Sequence, residues 1–157
     1  MRLRRATKEN LESMMGWIDS EQACRIWAGE GFRFPFTTDQ FFKDLGFPEY
    51  ETYVLADKND IPVGLGQIIH RSGRLHLARI LVMPALRGKG YGRRLCEELI
   101  KEGRARYGNK AFSLNVYRHN TVARQLYEKL GFRPAPDQGQ AASNDSVFMI
   151  MAEIPPP

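Results

Sequence analysis

The sequence has few cysteines and histidines and no long apolar run. Two cysteines among 157 residues, Cys24 and Cys96, form no disulfide framework, and three histidines, His70, His76 and His119, do not stand at spacings typical of a zinc site. No window approaches the roughly 18 apolar residues of a transmembrane helix, and the charged N-terminus lacks the apolar segment of a signal peptide. We therefore expect a cytoplasmic protein with no structural metal and no membrane contact.

The length and composition are those of one globular domain. A chain of 157 residues that is 43% hydrophobic can bury a sizeable core, so we predict a single domain over residues 1–157. The charge is unevenly spread. The segment from Arg87 to Lys110 contains eight basic and three acidic residues, an excess equal to the net charge of +5 of the whole chain. We therefore expect no nucleic-acid partner, and the local excess suits a polyphosphate.

The apolar pattern predicts a mixed α/β (α+β) fold. Turn residues and strand-like runs predict strands at residues 3–6, 51–57, 62–71, 75–82, 111–116 and 147–154. Helical spacing predicts helices over residues 7–18, 91–107 and 120–131. Aromatic residues crowd the segment 19–48, where regular structure is least defined and Thr38 is a candidate N-cap of a short helix. Residues 134–146 are predicted to form a loop.

A glycine motif at residues 87–92 follows the third strand of the predicted meander. Gly88, Gly90 and Gly92 let the backbone approach an anion, and the helix that follows offers its unpaired N–H groups. Arg87 and Lys89 add positive charge. A dinucleotide fingerprint would need a further glycine after Gly92, and the P-loop pattern is absent from the chain. The motif is therefore a phosphate loop of another kind, or an ordinary strand-to-helix turn.

A second motif begins at Asn120 and reads N-x-x-A-x-x-L-Y-E-K-L-G-F through Phe132. Together with Arg87-x-x-Gly90-x-Gly92, it resembles the two hallmark segments of the GNAT superfamily of acetyl-coenzyme A (acetyl-CoA) dependent N-acetyltransferases. The resemblance covers about a third of the chain. It implies a twisted, mostly antiparallel sheet of six to seven strands, flanked by about four helices and splayed between the strands that end near Val82 and Val116.

The same resemblance implies which residues contact acetyl-CoA. The pantetheine arm would lie in the splay, and the pyrophosphate would lie on the glycine motif. The implied contacts are Ile80, Leu81, Val82, Arg87, Gly88, Lys89, Gly90, Tyr91, Gly92, Asn115, Asn120 and Tyr127. A backbone N–H near Leu81 and Val82 would stabilise negative charge on the thioester carbonyl. Asn120 also suits a plain N-cap role, and the two roles are compatible.

Tyr127 is the implied general acid, which would protonate the thiolate of coenzyme A as it leaves. Tyrosine and thiol have comparable reference pKa values, about 10 and about 8.5, so this proton transfer is chemically reasonable. Packing in the core, on one stripe with Leu126 and Leu130, is the alternative role of this side chain.

The general base is less well indicated. An alkylammonium with a pKa near 10.4 must lose a proton before it attacks, and His76 is the first candidate because it stands six residues before Val82, with the same strand parity. A structural histidine is the alternative. Glu30, Asp39 and a water held by Asn115 are the other candidate bases.

The acceptor is expected over the aromatic residues between Trp27 and Phe47, as a wall or a lid. Core packing or a contact in a homodimer would explain the same residues. We expect transfer to a primary amine of a small molecule or protein terminus by direct attack in a ternary complex. A non-catalytic acyl-CoA sensor is the alternative function, and an acyl-enzyme on Cys24 or Cys96 has no evident partner base.

Overall fold

The computed structural model of the chain describes residues 1–135 and 145–153. They contain one seven-stranded sheet in the order β1-β2-β3-β4-β5-β7-β6. The strands are β1 (Arg2–Arg5), β2 (Glu51–Ala56), β3 (Pro62–Arg71), β4 (Arg74–Val82), β5 (Phe112–Tyr117), β6 (Arg133–Pro134) and β7 (Ser146–Met151). All neighbours are antiparallel except β4 and β5, which are parallel. The predicted mixed sheet is confirmed.

Five α-helices accompany the sheet in the described ranges. They are α1 (Lys8–Met14), α2 (Glu21–Ala28), α3 (Thr38–Leu45), α4 (Tyr91–Tyr107) and α5 (Thr121–Leu130), with short 3₁₀ turns at Met15–Trp17 and Pro84–Leu86. Thr7 is the N-cap of α1, as the sequence indicated, and it forms a capping box with Asn10. No helix in these ranges is long and apolar enough to cross a membrane.

The helices cover the two faces of the sheet. One core cluster packs α4 and α5 on one face through the fully buried Leu95 and Leu99 together with Phe112. The second cluster packs α1, α2 and α3 on the opposite face through Leu11 and Phe41. Burying one such leucine or phenylalanine side chain contributes about 1.5–3 kcal/mol, so the two clusters hold the sheet between its helices.

The segment from residue 19 to 48 is more regular than its sequence suggested. It contains both α2 and α3, and Thr37, not Thr38, caps α3 in a capping box with Gln40. Helix α1 ends at Met14, and Ile18 lies beyond the 3₁₀ turn. Strand β7 ends at Met151. The predicted loop falls largely on residues 136–144, outside the described ranges.

Strands β4 and β5 separate soon after they meet. They pair only at Leu75 with Phe112 and at His76 with Ser113, although β4 continues to Val82 and β5 to Tyr117. The predicted splay is therefore present. We call the opening beyond His76 and Ser113 the β4–β5 cleft. It leads towards the glycine motif and the N-terminus of α4.

Candidate active site

Strand β4 contains a bulge beside the cleft. Gln67 pairs with Ala78 and Leu65 with Leu81, so Gly66 of β3 faces two residues, Arg79 and Ile80. Arg79 adopts a φ of 52°, in the left-handed region. A bulge takes backbone groups of the extra residue out of the ladder and redirects the strand. This bulge lies in β4, the strand that is expected to border the thioester. No sequence pattern predicted the bulge.

The bulge reverses the parity of β4. Before it, His76 pairs with Ile69, on the sheet face of Gln67; after it, Val82 lies beside Gly92, on the α4 face. The expectation that His76 and Val82 share a face was therefore wrong, because the extra residue shifts the alternation of side chains by one. Ile80 also turns towards α4, where it approaches Leu99, whereas Leu81 packs in the cluster under α1–α3.

The glycine motif ends at the open N-terminus of α4. Gly88 and Gly90 have φ values of 77° and 90°, and Gly90 is the N-cap of the helix without any side-chain cap. The first intrahelical bond is donated by Arg94 N to Gly90 O, so the N–H groups of Tyr91, Gly92 and Arg93 precede the helical ladder. A helix N-terminus of this kind binds anions such as a pyrophosphate.

The cations around the motif have separate partners. Arg87 Nε donates to the carbonyl of Val82 at 3.3 Å and so joins the motif to the end of β4. Arg93 and Arg94 form ion pairs with Glu97 and Glu98 one turn later in α4. Arg87 and Lys89 have no carboxylate partner in residues 1–135 and 145–153, and they are the cations that remain for a phosphate.

His76 lies at the closed end of the cleft and is only 4% exposed. Its Nδ1 lies 2.9 Å from Ser113 Oγ, and its Nε2 lies 3.2 Å from Arg71 Nη1. Because a guanidinium only donates, Nε2 accepts from Arg71 and Nδ1–H donates to Ser113. Burial, followed by the charges of Arg71 and Arg79, lowers the pKa of His76 to about 3. These surroundings make His76 a weak proton acceptor.

Tyr127 lies in the core cluster between α5 and the sheet, with its ring 6.1 Å from that of Phe132. Its side chain is 9% exposed. Burial, together with the nearby Cys96, raises the pKa of its hydroxyl, so the group is protonated at neutral pH. The packing role of Tyr127 is therefore real, and it keeps the hydroxyl in the form that a proton donor requires.

Alternate residues of β5 face the cleft from the α1–α3 side of the sheet. Ser113 contacts His76 there, whereas Phe112 and Leu114 belong to the α4 cluster, so Asn115 and Tyr117 share the face of Ser113. Burial, followed by the charge of Glu30, raises the pKa of Tyr117. Glu30 therefore lies near the open end of β5. Asn120 caps α5 through its side chain, which accepts from Ala123 N at 3.4 Å.

The aromatic segment forms a packed cluster. Phe41 is fully buried, and its ring centroid lies 4.9 Å from that of Phe36 and 5.7 Å from that of Phe32. Trp27 packs on Phe32 at 5.0 Å. Among the roles predicted for these residues, core packing applies to Phe32 and Phe41. Only the half-buried rim of the cluster, which includes Trp27, can also contact a ligand.

Arg79 is a candidate residue that the sequence reasoning missed. Its Nη1 donates to Gln67 Oε1 at 2.8 Å, and its guanidinium lies 5.9 Å from the centre of the Phe32 ring. The available signal was an arginine inside the apolar run from Leu77 to Val82, because a charged residue in a buried strand needs a partner or a function. Cys24 and Cys96 are both buried, and burial raises the pKa of each thiol, that of Cys96 to about 12. Neither is an activated nucleophile.

Comparison with known proteins gives consistent results. The model of the acetyltransferase (GNAT) family matches residues 20–132. N-alpha-acetyltransferase 40 of Saccharomyces cerevisiae is 40% identical over 75 residues, which are 44% of this chain and 26% of the yeast protein. Spermine/spermidine N(1)-acetyltransferase of Bacillus subtilis is 24% identical over 123 residues, 78% of this chain and 74% of that protein.

Solved structures share the fold. The yncA protein of Salmonella typhimurium, solved with its cofactor acetyl-CoA, superposes with a TM-score of 0.69 at 24% identity, over 100% of this chain and 97% of that one. The family match spans more than half of the chain and includes the β4–β5 cleft, the glycine motif and Tyr127. The chain therefore belongs to the acetyltransferase (GNAT) family of N-acetyltransferases.

Proposed function

We propose that this protein transfers the acetyl group of acetyl-CoA to a primary amine, by direct attack in a ternary complex. The observation that carries the proposal is the continuity of the β4–β5 cleft with the glycine motif and the uncapped N-terminus of α4. The yncA structure with acetyl-CoA and the spermine/spermidine acetyltransferase relative support the donor and the amine chemistry.

The residues of the cleft fit acetyl-CoA. The N–H groups that open α4, with Arg87 and Lys89, would hold the pyrophosphate, and Gly88 and Gly90 allow the close backbone approach. The backbone of Ile80, Leu81 and Val82 on one side and Asn115 on the other would border the pantetheine arm. Asn120 would border the cofactor at the start of α5. When bound, acetyl-CoA supplies the acetyl group as an activated thioester.

The reaction moves three protons. The acceptor nitrogen loses one as an ammonium before it bonds to the carbonyl carbon and a second as the adduct collapses to the amide, and the sulfur gains one as the carbon–sulfur bond breaks. The second proton from nitrogen can restore the hydroxyl of the residue that protonated the sulfur, so one proton is released overall. Tyr127 donates to the sulfur in this proposal, and the bulge in β4 presents backbone N–H groups to the carbonyl oxygen. Glu30, near the open end of β5, receives the ammonium proton directly or through water. The role of His76 as base remains a prediction that its contacts with Arg71 and Ser113 argue against.

The test is an amine panel assayed by release of free thiol, with acetyl-CoA binding measured by calorimetry. Wild-type protein should release thiol only with an amine present. Arg87→Ala should weaken acetyl-CoA binding about tenfold, because a charge-assisted phosphate contact is lost. Arg2→Ala is the matched control, since Arg2 lies on the edge strand β1 and pairs with Asp60. Unaltered affinity in Arg87→Ala would contradict the phosphate assignment.

A non-catalytic acyl-CoA sensor is the second candidate function. It predicts tight acetyl-CoA binding with no thiol release for any amine. The presence of Tyr127, whose hydroxyl is buried and protonated, favours the enzyme. The cytoplasmic location, the homodimer and the single domain stay predictions.

A further inference from the structure

The guanidinium of Arg79 is hydrogen-bonded through one nitrogen and lacks a partner at another among the described residues. Gln67 is fully buried, and its Nε2 donates to Leu45 O at 2.8 Å and to Thr52 Oγ1 at 3.0 Å. Its Oε1 is therefore directed at Arg79 Nη1, at 2.8 Å. The Nε of Arg79 is buried and has no hydrogen-bond partner among the described residues. A buried donor left unpaired is costly, so its retention calls for a physical reason, and binding a ligand is one such reason.

The unpaired edge of Arg79 has the geometry of an anion site. Because Gln67 occupies Nη1, the side of the guanidinium formed by Nε and Nη2 remains, and two parallel N–H groups on one edge match the two oxygens of a carboxylate. In residues 1–135 and 145–153, no carboxylate lies within ion-pair distance of Arg79. Burial lowers the pKa of Arg79, and the acidic groups that act against this are Tyr50 and, more weakly, Asp44, which is itself bound by Arg33.

The surroundings of Arg79 are positive and aromatic. The charges of Arg71 and Arg79 both act on the neutral His76, so the two cations lie on the same part of the cleft. Arg79 also faces the ring of Phe32, and Trp27, which packs on that ring, has a buried indole N–H with no hydrogen-bond partner in the part of the chain that the structure describes. Two unpaired donors against one apolar ring favour an oxygen-bearing group over a cationic one.

Arg79 also stands where the acceptor must enter. It is the bulged residue of β4, directly before Ile80, and its contacts with Gln67 and Phe32 turn it to the sheet face opposite α4. The glycine motif leads to the N-terminus of α4 on the other side. A group that binds Arg79 would therefore lie beside the thioester but away from the phosphates.

We propose that the Nε–Nη2 edge of Arg79 binds the carboxylate of the acceptor, so that the acceptor is a free amino acid. This inference rests on the proposed acetyl transfer and names its substrate class. A polyamine would bring further positive charge next to Arg71 and Arg79. A peptide N-terminus would bring only a neutral carbonyl, which leaves the charge of Arg79 uncompensated.

The first test changes the acceptor and leaves the protein intact. Thiol release is measured with each of the twenty standard amino acids. The comparison arms are the α-amides of these amino acids, spermidine, and a set of short peptides with free N-termini. For the best amino acid, kcat/KM should exceed that of its amide about 100-fold, because a bidentate charge-assisted contact is lost. Equal rates for acid and amide, or turnover confined to spermidine or peptides, would overturn the inference and leave the acetyl transfer standing. Thiol release with no amine at all would overturn both.

The second test changes Arg79. Arg79→Gln should lower kcat/KM for the free amino acid about 100-fold and for its amide less than threefold, with acetyl-CoA affinity unchanged. Arg79→Lys should recover part of the loss, because it restores the charge without the fork. Arg71→Gln is the matched control, since it removes the same charge from a neighbouring arginine that is exposed and also contacts His76. Equal losses in Arg71→Gln and Arg79→Gln, or equal losses for acid and amide, would show a general effect and contradict a direct contact.

Discussion

The two sides of the β4–β5 cleft are built in different ways. The side we assign to the acetyl donor is built mainly from backbone: the glycine motif, the N-terminus of α4 and the end of β4 all lie within one stretch of sequence. The side we assign to the acceptor depends on side chains from distant segments, since the buried Phe32 and Gln67 contact Arg79 only in the folded chain. A site made of backbone leaves a local motif, and a site made of side chains does not.

The sharpest test of the comparison is Phe41→Ala, which asks whether the aromatic segment is core or lid. Phe41 is fully buried against Trp27, Phe32 and Phe36, so the substitution should lower the free energy of unfolding by about 3–5 kcal/mol. Denaturant unfolding measures this loss. Phe34→Ala is the control, because Phe34 is half-buried at the rim. Similar small losses for both variants would mean that the segment is a loosely attached lid.

Tyr127→Phe tests the donor side. Removing the hydroxyl and keeping the ring should lower turnover about 100-fold, the low end for a general acid, while acetyl-CoA affinity changes less than threefold. Single-turnover thiol release and calorimetry measure the two effects. Leu126→Met is the control, because it changes a neighbouring side chain with little change of volume and removes no ionisable group. Unchanged turnover in Tyr127→Phe would leave the side chain with packing alone.

The buried His76, on the acceptor side, is expected to make the free energy of unfolding depend on pH. Its pKa is lowered from 6.5 to about 3 in the folded state, so the unfolded chain takes up a proton first as the pH falls. Stability from the neutral histidine is thus complete above pH 6.5, and it is lost towards pH 3 at about 1.4 kcal/mol per pH unit.

The comparison of wild type with His76→Gln isolates this contribution. Unfolding measured at pH 7 and pH 5 should show a smaller acid loss in His76→Gln, because glutamine does not titrate. A kcat/KM profile with a pKa near 6.5 that vanishes in His76→Gln would instead identify His76 as the base, against the expectation from its contacts with Arg71 and Ser113.

Gly90→Ala should have the smallest effect on stability and a local effect on function. Gly90 has a φ of 90°, where an L side chain costs about 1–2 kcal/mol, although nothing within 4 Å would collide with its Cβ. We expect that loss of stability together with weaker acetyl-CoA binding. Gly31→Ala is the matched control, because Gly31 also has open space around it and no left-handed φ. If both variants bind acetyl-CoA with the same affinity, the proposed contact between the glycine motif and the cofactor is contradicted.

Prediction from sequence succeeded where the signal is local. The N-cap at Thr7, the extent of α4 and the cap of α5 at Asn120 each follow from a few adjacent residues. It failed where one residue changed the register. Arg79 bulges out of β4, and this reversed the face on which His76 was expected. Nothing in the residues around Arg79 distinguishes a bulged strand from a regular one.

The sequence by itself determined the order of the main elements outside residues 19–48, the glycine motif with its charge excess, and the family to which these features point. These follow from periodicity, turn residues and charge, which act over a few neighbouring positions. Only the tertiary structure decided that His76 is neutral between Arg71 and Ser113, and that Gln67 holds Arg79 with one edge of its guanidinium unpaired among the described residues. Hydrogen bonding and burial depend on which distant strands and helices become neighbours, and that is a property of the folded chain.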